Sequence, residues 1–156
     1  MGVEARLAEL GVTLPEVAAP VAAYVPAVRS GNLVHVSGQL PFVDGKLAVT
    51  GKVGEGPGLV APADAAELAR VCVLNALAAV RQVVGTLDGV RIVRIGGYVA
   101  SDPSFTGQPL VLNGASLAIG AIFDEAGIHA RSAVGVASLP LDAPVEVEML
   151  AEVAEG

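Results

Sequence analysis

The sequence contains no tryptophan, only five tyrosines and phenylalanines together, and only nine lysines and arginines against sixteen acidic residues. Its formal net charge is −7. A protein that binds nucleic acid needs basic side chains for the phosphates and aromatic rings that stack on bases. The composition therefore argues against a nucleic-acid partner.

Cysteine is equally scarce, because Cys72 is the only one. A single cysteine excludes an intramolecular disulfide and a cysteine-based metal site. The apolar segment 71–80 lies between Arg70 and Arg81, so we expect no membrane span. The opening residues, "MGVEARLAELG", lack the basic region and apolar run of a signal peptide, which predicts a cytoplasmic protein.

Apolar residues, by contrast, make up 53% of the 156 residues, and charged residues only 16%. This is more apolar than the surface of one small domain requires, so part of that surface is expected to be covered in an oligomer. The length predicts a single domain, 1–156, in which residues 1–19 form an N-terminal extension.

Hydrophobic periodicity predicts the element order β-β-α-β-α-β-β. Asp-Gly within "VDGK" indicates a type I′ hairpin turn after the first strand, and Asp64 with Glu67 resembles a helix capping box. The expected class is α+β, a mixed sheet with two helices packed on one face. The predicted elements are strands at 32–40 and 47–53, a helix at 63–84, a strand at 89–101, a helix at 109–126, and strands at 132–138 and 145–153.

Two segments between these elements are rich in glycine or proline, residues 51–58 and residues 101–110. The first, "GKVGEGPG", has no Gly-Lys-Ser/Thr leading into a helix, so it does not match a phosphate-binding loop. We predict a flexible loop there.

Arg131 stands at the start of an otherwise uncharged strand, on the same face as Ala133 and Gly135. Small neighbours leave room around its guanidinium, which suits bidentate binding of a small carboxylate. The alternative is a strand-edge arginine paired with a carboxylate such as Glu152.

Glu146 and Glu148 are two residues apart on the last predicted strand and therefore share a face. They form either a solvated sheet face or a site in which a carboxylate holds water or moves a proton. A hairpin turning at 140–143 would place Glu146 about 20 Å from Arg131 at about 3.3 Å per residue. A site that used both residues would then need neighbouring subunits.

The two histidines, His35 and His129, are far apart in sequence, and neither has further ligands at zinc spacing. We interpret both as structural and predict no metal site.

Two longer segments, "YVPAVRSGNLVHVSGQLP" and "ARSAVGVASLPLDAPVEVE", resemble the RidA/YjgF family of enamine/imine deaminases, also labelled endoribonuclease L-PSP. The resemblance runs from about residue 20 to residue 152, and the inserts place the chain in a longer subgroup. It implies a chorismate-mutase-like fold and a homotrimer with three clefts between subunits.

The resemblance also implies roles for individual residues. Arg131 would bind the substrate carboxylate, and Gly38 would donate its backbone N–H to the ligand. Tyr24 and Asn113 would line the cleft. Glu146 would position a water molecule.

The implied reaction is hydrolysis of a 2-iminoacid or its enamine, such as 2-aminoacrylate, to a 2-oxoacid and ammonia, without a cofactor. Ala133 stands where the best-studied branch has cysteine. This difference keeps open a second hypothesis, a trimer that binds or senses small carboxylates without turnover. Ribonuclease activity is the third and least favoured hypothesis, because the chain is acidic.

Overall fold

The computed structural model describes residues 1–17 and 23–154. Five strands form one mixed sheet in the order β1-β2-β7-β5-β6. β5 and β6 are parallel, and the other neighbours are antiparallel. The strands are β1 (Ala27–Ser30), β2 (Leu33–Gln39), β5 (Val90–Ala100), β6 (Ala130–Val136) and β7 (Val145–Val153).

Three helices accompany this sheet: α1 (Val3–Glu9), α2 (Pro62–Val84) and α3 (Gln108–Phe123). α2 and α3 pack on each other and on one face of the sheet. Gly114 permits close approach of the two helices, because a Cβ there would collide with the backbone carbonyl of Ala66. The predicted fold class, an α+β mixed sheet with two helices on one face, is confirmed.

The core lies between the sheet and these helices. Along β7, residues alternate between buried and half-buried positions, which is the pattern of a strand covered on one face only. The buried apolar residues of the strands are Val34, Val36, Val90, Ile92, Ile95, Val99, Ala100, Val145, Val147, Met149 and Ala151. In the described chain, no helix covers the opposite face, which we call the open face.

Several local predictions need correction. The α2 helix begins at Pro62, with Ala61 as its N-cap and no side-chain cap, so Asp64 is not a capping residue. Proline suits the first helical position, since its missing N–H would have no helical partner. The "VDGK" turn is present, with positive φ at Asp44 and Gly45. It joins only the short strands β3 (Phe42–Val43) and β4 (Lys46–Leu47), which form a sheet of their own.

β1 lies in a segment for which no strand was predicted, and residues 18–22, which precede it, lie outside the described residues. The glycine-rich segment 51–58 is held at the end of β5 rather than free. Val53 is fully buried, and its backbone N–H donates to Ala100 while its carbonyl accepts from Asp102.

The N-terminal extension is tied to the domain by Glu4. Its carboxylate accepts the backbone N–H of Leu87 at 2.9 Å and lies 3.4 Å from the guanidinium of Arg81. α1 also contacts α3.

One stretch of the chain, 108–127, is long and apolar enough to cross a membrane by length and composition. It overlaps an uncharged run, residues 103–123, that is longer than the apolar segment 71–80. It comprises α3 and the 3-10 turn that follows, Asp124–Gly127. Its inward residues, among them Leu112, Ala115 and Ile119, are fully buried in the core, as in the core helix of a globular domain.

Candidate functional site

The predicted site residues form two groups at different places on the sheet. Gly38 and Glu146 lie on the adjacent strands β2 and β7, and the segment of Tyr24 runs beside them. Arg131 and Asn113 lie at the other edge, on β6 and α3. Within one chain, the predicted site residues therefore lie in two separate groups, which we call the first and the second half-site.

In the first half-site, the Glu146 side chain lies directly over Gly38. A Cβ at Gly38 would overlap the Glu146 carboxylate, so only glycine permits this position. Gly38 falls in a bulge, because the β2–β7 register shifts between Val36 and Gln39. A hydrogen bond joins the bulge to the segment that contains Tyr24, because the Ser37 hydroxyl donates to the carbonyl of Val25 at 2.8 Å.

The two glutamates on the open face differ in their partners. Glu148 accepts the Tyr98 hydroxyl at 3.0 Å and pairs with Arg94 at 3.4 Å. This hydrogen bond from the phenol to Glu148, followed by burial, raises the pKa of Tyr98. Glu146 has no such partner among the described residues. Burial, and then the charge of Glu148, raise the pKa of Glu146 above its usual range.

A cavity of about 200 Å³ lies on the open face next to these groups. It is lined by both charged and apolar side chains, His35, Val36, Arg94, Gly96, Glu148, Met149 and Leu150. The open face is therefore partly apolar and partly charged.

The second half-site is built around the Arg131 guanidinium. Nη1 donates to the Asn113 carbonyl oxygen at 2.9 Å and to the Ser116 hydroxyl at 3.2 Å. Nη2 donates to the backbone carbonyl of Pro109 at 3.2 Å. α3 thus holds the group through one helical face, since Asn113 and Ser116 are three residues apart.

These contacts use three of the five N–H groups that a guanidinium carries. The two that remain belong to Nε and Nη2, which are neighbours along one edge of the plane. No carboxylate lies within ion-pair distance of Arg131 in the described part of the chain. The arrangement leaves a planar fork suited to a carboxylate from outside the chain.

The suggested pairing of Arg131 with Glu152 is wrong. Glu152 accepts from the Asn32 amide at 3.0 Å. It is opposite Arg91 in the β5–β7 register, whereas Arg131 is opposite Ile95. The residues of β5 opposite Glu152 and Arg131 are therefore four positions apart in the sequence.

The hairpin expected between the last two strands is also wrong. β6 and β7 are not neighbours, because β5 lies between them. Glu146 is opposite Tyr98, and Tyr98 is opposite Val134. Arg131 and Glu146 are therefore not separated along a hairpin. They project from opposite faces of the sheet.

Two residues of the second half-site were missed as functional candidates. Ser116 was not singled out, and His129 was interpreted as structural. The Ser116 hydroxyl lies 2.9 Å from His129 Nε2. The signal was available, since His129 and Arg131 are two apart in extended chain and therefore share a face.

The described residues contain no cluster of three or more histidine, cysteine or acidic side chains that could hold a metal ion. Cys72 is buried, its thiol faces the carbonyl of Val145 at 3.7 Å, and burial raises its pKa well above the usual range. It is therefore a poor nucleophile.

The chain matches a family model described as "YjgF/chorismate_mutase-like, putative endoribonuclease" over residues 4–153. Protein TCP17 of Trypanosoma cruzi is 45% identical over 152 residues, which is 96% of this chain and 93% of that protein. A protein of unknown function from Agrobacterium tumefaciens is 47% identical. The match covers 97% of this chain and 92% of that structure, with a TM-score of 0.88.

TdcF of E. coli, solved with bound serine, is 24% identical and has a TM-score of 0.60 over 92% of this chain and 96% of its own. At that identity the similarity shows a shared fold.

Proposed function

Because the chain belongs to the YjgF/chorismate-mutase-like family, we propose that it hydrolyses 2-iminoacids or their enamines, such as 2-aminoacrylate. The products are 2-oxoacids and ammonia. The observation that carries this proposal is the Arg131 guanidinium, which α3 holds in place while its Nε and Nη2 donors stay available. A fixed fork of this kind recognises the carboxylate common to such substrates.

The proposed active unit is a homotrimer with the site between subunits. The open face offers apolar surface for assembly, with Val28 and Val134 52% and 44% exposed. One chain presents Arg131 and Glu146 on opposite faces of its sheet, so one small ligand reaches both only if they come from two copies. The high apolar content supports the same conclusion.

In the proposed reaction, Arg131 neutralises the substrate carboxylate and fixes the imine carbon in the cleft. The Gly38 backbone N–H stabilises negative charge on the substrate. Glu146 accepts a proton from a water molecule whose oxygen attacks the carbon of the protonated imine, which gives a neutral carbinolamine. Glu146 returns that proton to the nitrogen. It then accepts the hydroxyl proton as the C=O bond forms, the C–N bond breaks and ammonia leaves, and it passes this proton to the departing ammonia.

A coupled assay tests this proposal. An amino-acid oxidase generates 2-iminoacids, semicarbazide traps those that survive, and purified protein is added. Wild type should lower the trapped fraction, whereas Arg131→Ala should not. Arg29→Ala, which removes an exposed arginine of the opposite edge strand, should behave as wild type. Full activity in Arg131→Ala would refute the assignment of the site.

The second candidate is a protein that binds small carboxylates without turnover. Ala133 favours it, because the thiol found in the best-studied branch is missing there. Calorimetry with 2-oxobutanoate distinguishes the two candidates. Heat of binding that is lost in Arg131→Ala, without any acceleration of imine hydrolysis, would support binding alone.

The description of the family also names endoribonuclease. The net charge of −7 and the pairing of Arg94 with Glu148 oppose RNA binding. Cleavage of co-purified RNA that is lost in Arg131→Ala would overturn this conclusion.

A further inference from the structure

A chain of hydrogen bonds runs behind Arg131, from its guanidinium to a backbone carbonyl. Arg131 Nη1 lies 3.2 Å from the Ser116 hydroxyl, and that hydroxyl lies 2.9 Å from His129 Nε2. His129 Nδ1 lies 2.6 Å from the carbonyl oxygen of Gly127. We infer that Ser116 and a neutral His129 are positioning residues that fix the Arg131 guanidinium for carboxylate binding, an inference that rests on the proposed function.

The chemistry of the two ends sets the direction of these hydrogen bonds. A guanidinium only donates, so the Ser116 oxygen accepts from Arg131. A carbonyl only accepts, so His129 Nδ1 must carry a proton and donate to Gly127. Nε2 of neutral His129 then has a free lone pair, which accepts the proton of the Ser116 hydroxyl. Every donor and acceptor in the series has a partner.

The fixed end of the series is a rigid part of the backbone. Gly127 is buried and ends the 3-10 turn. A Cβ at this residue would lie 2.8 Å from the carbonyl oxygen of Ile119, so the turn packs directly on α3. Two residues further along the chain, His129 leads into β6. The imidazole therefore links the end of the turn to the middle of α3, beside Arg131.

Removal of His129 would leave the Ser116 hydroxyl free to rotate toward other acceptors. Helical serines often donate to the carbonyl one turn earlier. The oxygen would then offer a less well-aligned lone pair to Arg131 Nη1, which would retain Asn113 as its better partner. The guanidinium plane would become freer to turn, and the Nε–Nη2 edge would be less well placed for a carboxylate.

The alternative is a purely structural histidine that ties the turn to α3. The two roles differ in the ligand-free protein. If the hydrogen-bond series positions Arg131, ¹⁵N NMR should show His129 as the neutral tautomer with its proton on Nδ1. Rotation about the Cζ–Nη bonds of Arg131 should be slow, and it should quicken in His129→Ala and in Ser116→Ala. His35→Ala, which removes the exposed histidine of the open face, should leave it unchanged.

A double-mutant cycle completes the test with 2-oxobutanoate as the probe. His129→Ala and Ser116→Ala should each weaken binding about three- to tenfold, the effect of about one hydrogen bond. The double variant should be no weaker than Ser116→Ala alone, because His129 acts only through Ser116. His129→Gln, whose amide oxygen can accept from Ser116, should restore most of the affinity. His129→Phe, whose ring fills the same space but cannot accept from Ser116, replaces His129→Ala if that variant does not fold.

The positioning role of Ser116 and His129 would be refuted by additive losses of affinity in the double variant. It would also be refuted if the rate of Arg131 rotation were unchanged in His129→Ala. If wild type binds no 2-oxoacid, the proposed function fails. The tautomer and the Arg131 rotation rate would still decide the hydrogen-bond series, so the two failures are distinguishable.

Discussion

Arg131 and Glu146 project from opposite faces of one sheet. Arg131 is opposite Ile95 on β5, and Ile95 is opposite Met149 on β7. Both of these neighbours are buried under the helices, so Arg131 points to the helix-covered side. Glu146 is opposite Tyr98 on the open side. This separation makes any site that uses both residues a property of the assembly.

Mixed oligomers test that conclusion directly. Arg131→Ala and Glu146→Gln proteins should each be inactive as deaminases. Unfolded and refolded together in equal amounts, they should recover about a quarter of wild-type activity, because random assembly gives that share of clefts with both native residues. The measurement is imine hydrolysis in the refolded mixture.

Each variant refolded alone is the control and should stay inactive. Light scattering would confirm that the mixed species has the mass of the wild-type oligomer. Absence of recovery in such an oligomer would place both residues in the same chain's cleft or remove one of them from the site.

Gly38→Ala should abolish imine hydrolysis while the protein stays folded. The new methyl group would occupy the space of the Glu146 carboxylate and push it from its place. The measurements are the deaminase rate and the thermal unfolding midpoint. Gly120→Ala is the matched control, because a Cβ on this helical glycine meets open space and should stabilise α3 slightly.

Glu146→Gln should raise the unfolding temperature at neutral pH. Burial raises the pKa of Glu146 in the folded state, so the folded protein holds this proton more tightly than the unfolded chain. Stability of the wild type therefore falls as pH rises from the unfolded pKa to the folded one. The variant lacks this penalty, so its advantage in Tm should appear as pH increases through that window and vanish in acid.

Glu148→Gln is the contrasting variant. Its carboxylate is held by Tyr98 and Arg94, so the substitution should lower Tm at neutral pH. An equal effect from the two substitutions would contradict the different environments assigned to the two glutamates.

Asn75→Ala should destabilise the domain by about 1–3 kcal/mol. The Asn75 amide donates to the carbonyls of Leu40 and Phe42 at 3.0 and 3.1 Å, and both would lose a partner. Chemical denaturation measures the change in the free energy of unfolding. Gln82→Ala, an exposed polar residue of the same helix, should change it little.

The strand and helix positions were largely predictable, because they depend on local periodicity. β7 was predicted at 145–153 and is found at Val145–Val153, since apolar and acidic residues alternate there with Leu150 as the only exception. α2 was predicted within one residue of its observed bounds for a similar reason. Its apolar residues recur over more than five turns.

Strand pairing was not predictable from the same patterns. β6 and β7 are separated by a short connection, which favours a hairpin, yet β5 is inserted between them. That order depends on non-local contacts, in particular on α3 crossing from β5 to the parallel strand β6. The wrong pairing led to a wrong distance between Arg131 and Glu146, although the inference of a shared site survives as a proposal.

For individual polar residues too, the sequence predicts some features, and others depend on the fold. Arg131 could be singled out from its small neighbours in the sequence, but its partners on α3 could not be predicted, because they depend on how the helix lies against β6. His129 shows the limit most clearly. Its spacing from Arg131 was visible in the sequence, whereas its contact with Ser116 requires the fold.

The position of β7 has a consequence for biosynthesis. This strand joins two pairs that do not otherwise touch, β1 with β2 and β5 with β6. All four strands of these pairs are synthesised before β7, the strand that connects the pairs. Until β7 emerges, the nascent chain carries two unpaired strand edges, each a template for pairing with another chain. We expect the yield of folded protein to fall when β7 is translated slowly, because those edges then stay unpaired for longer.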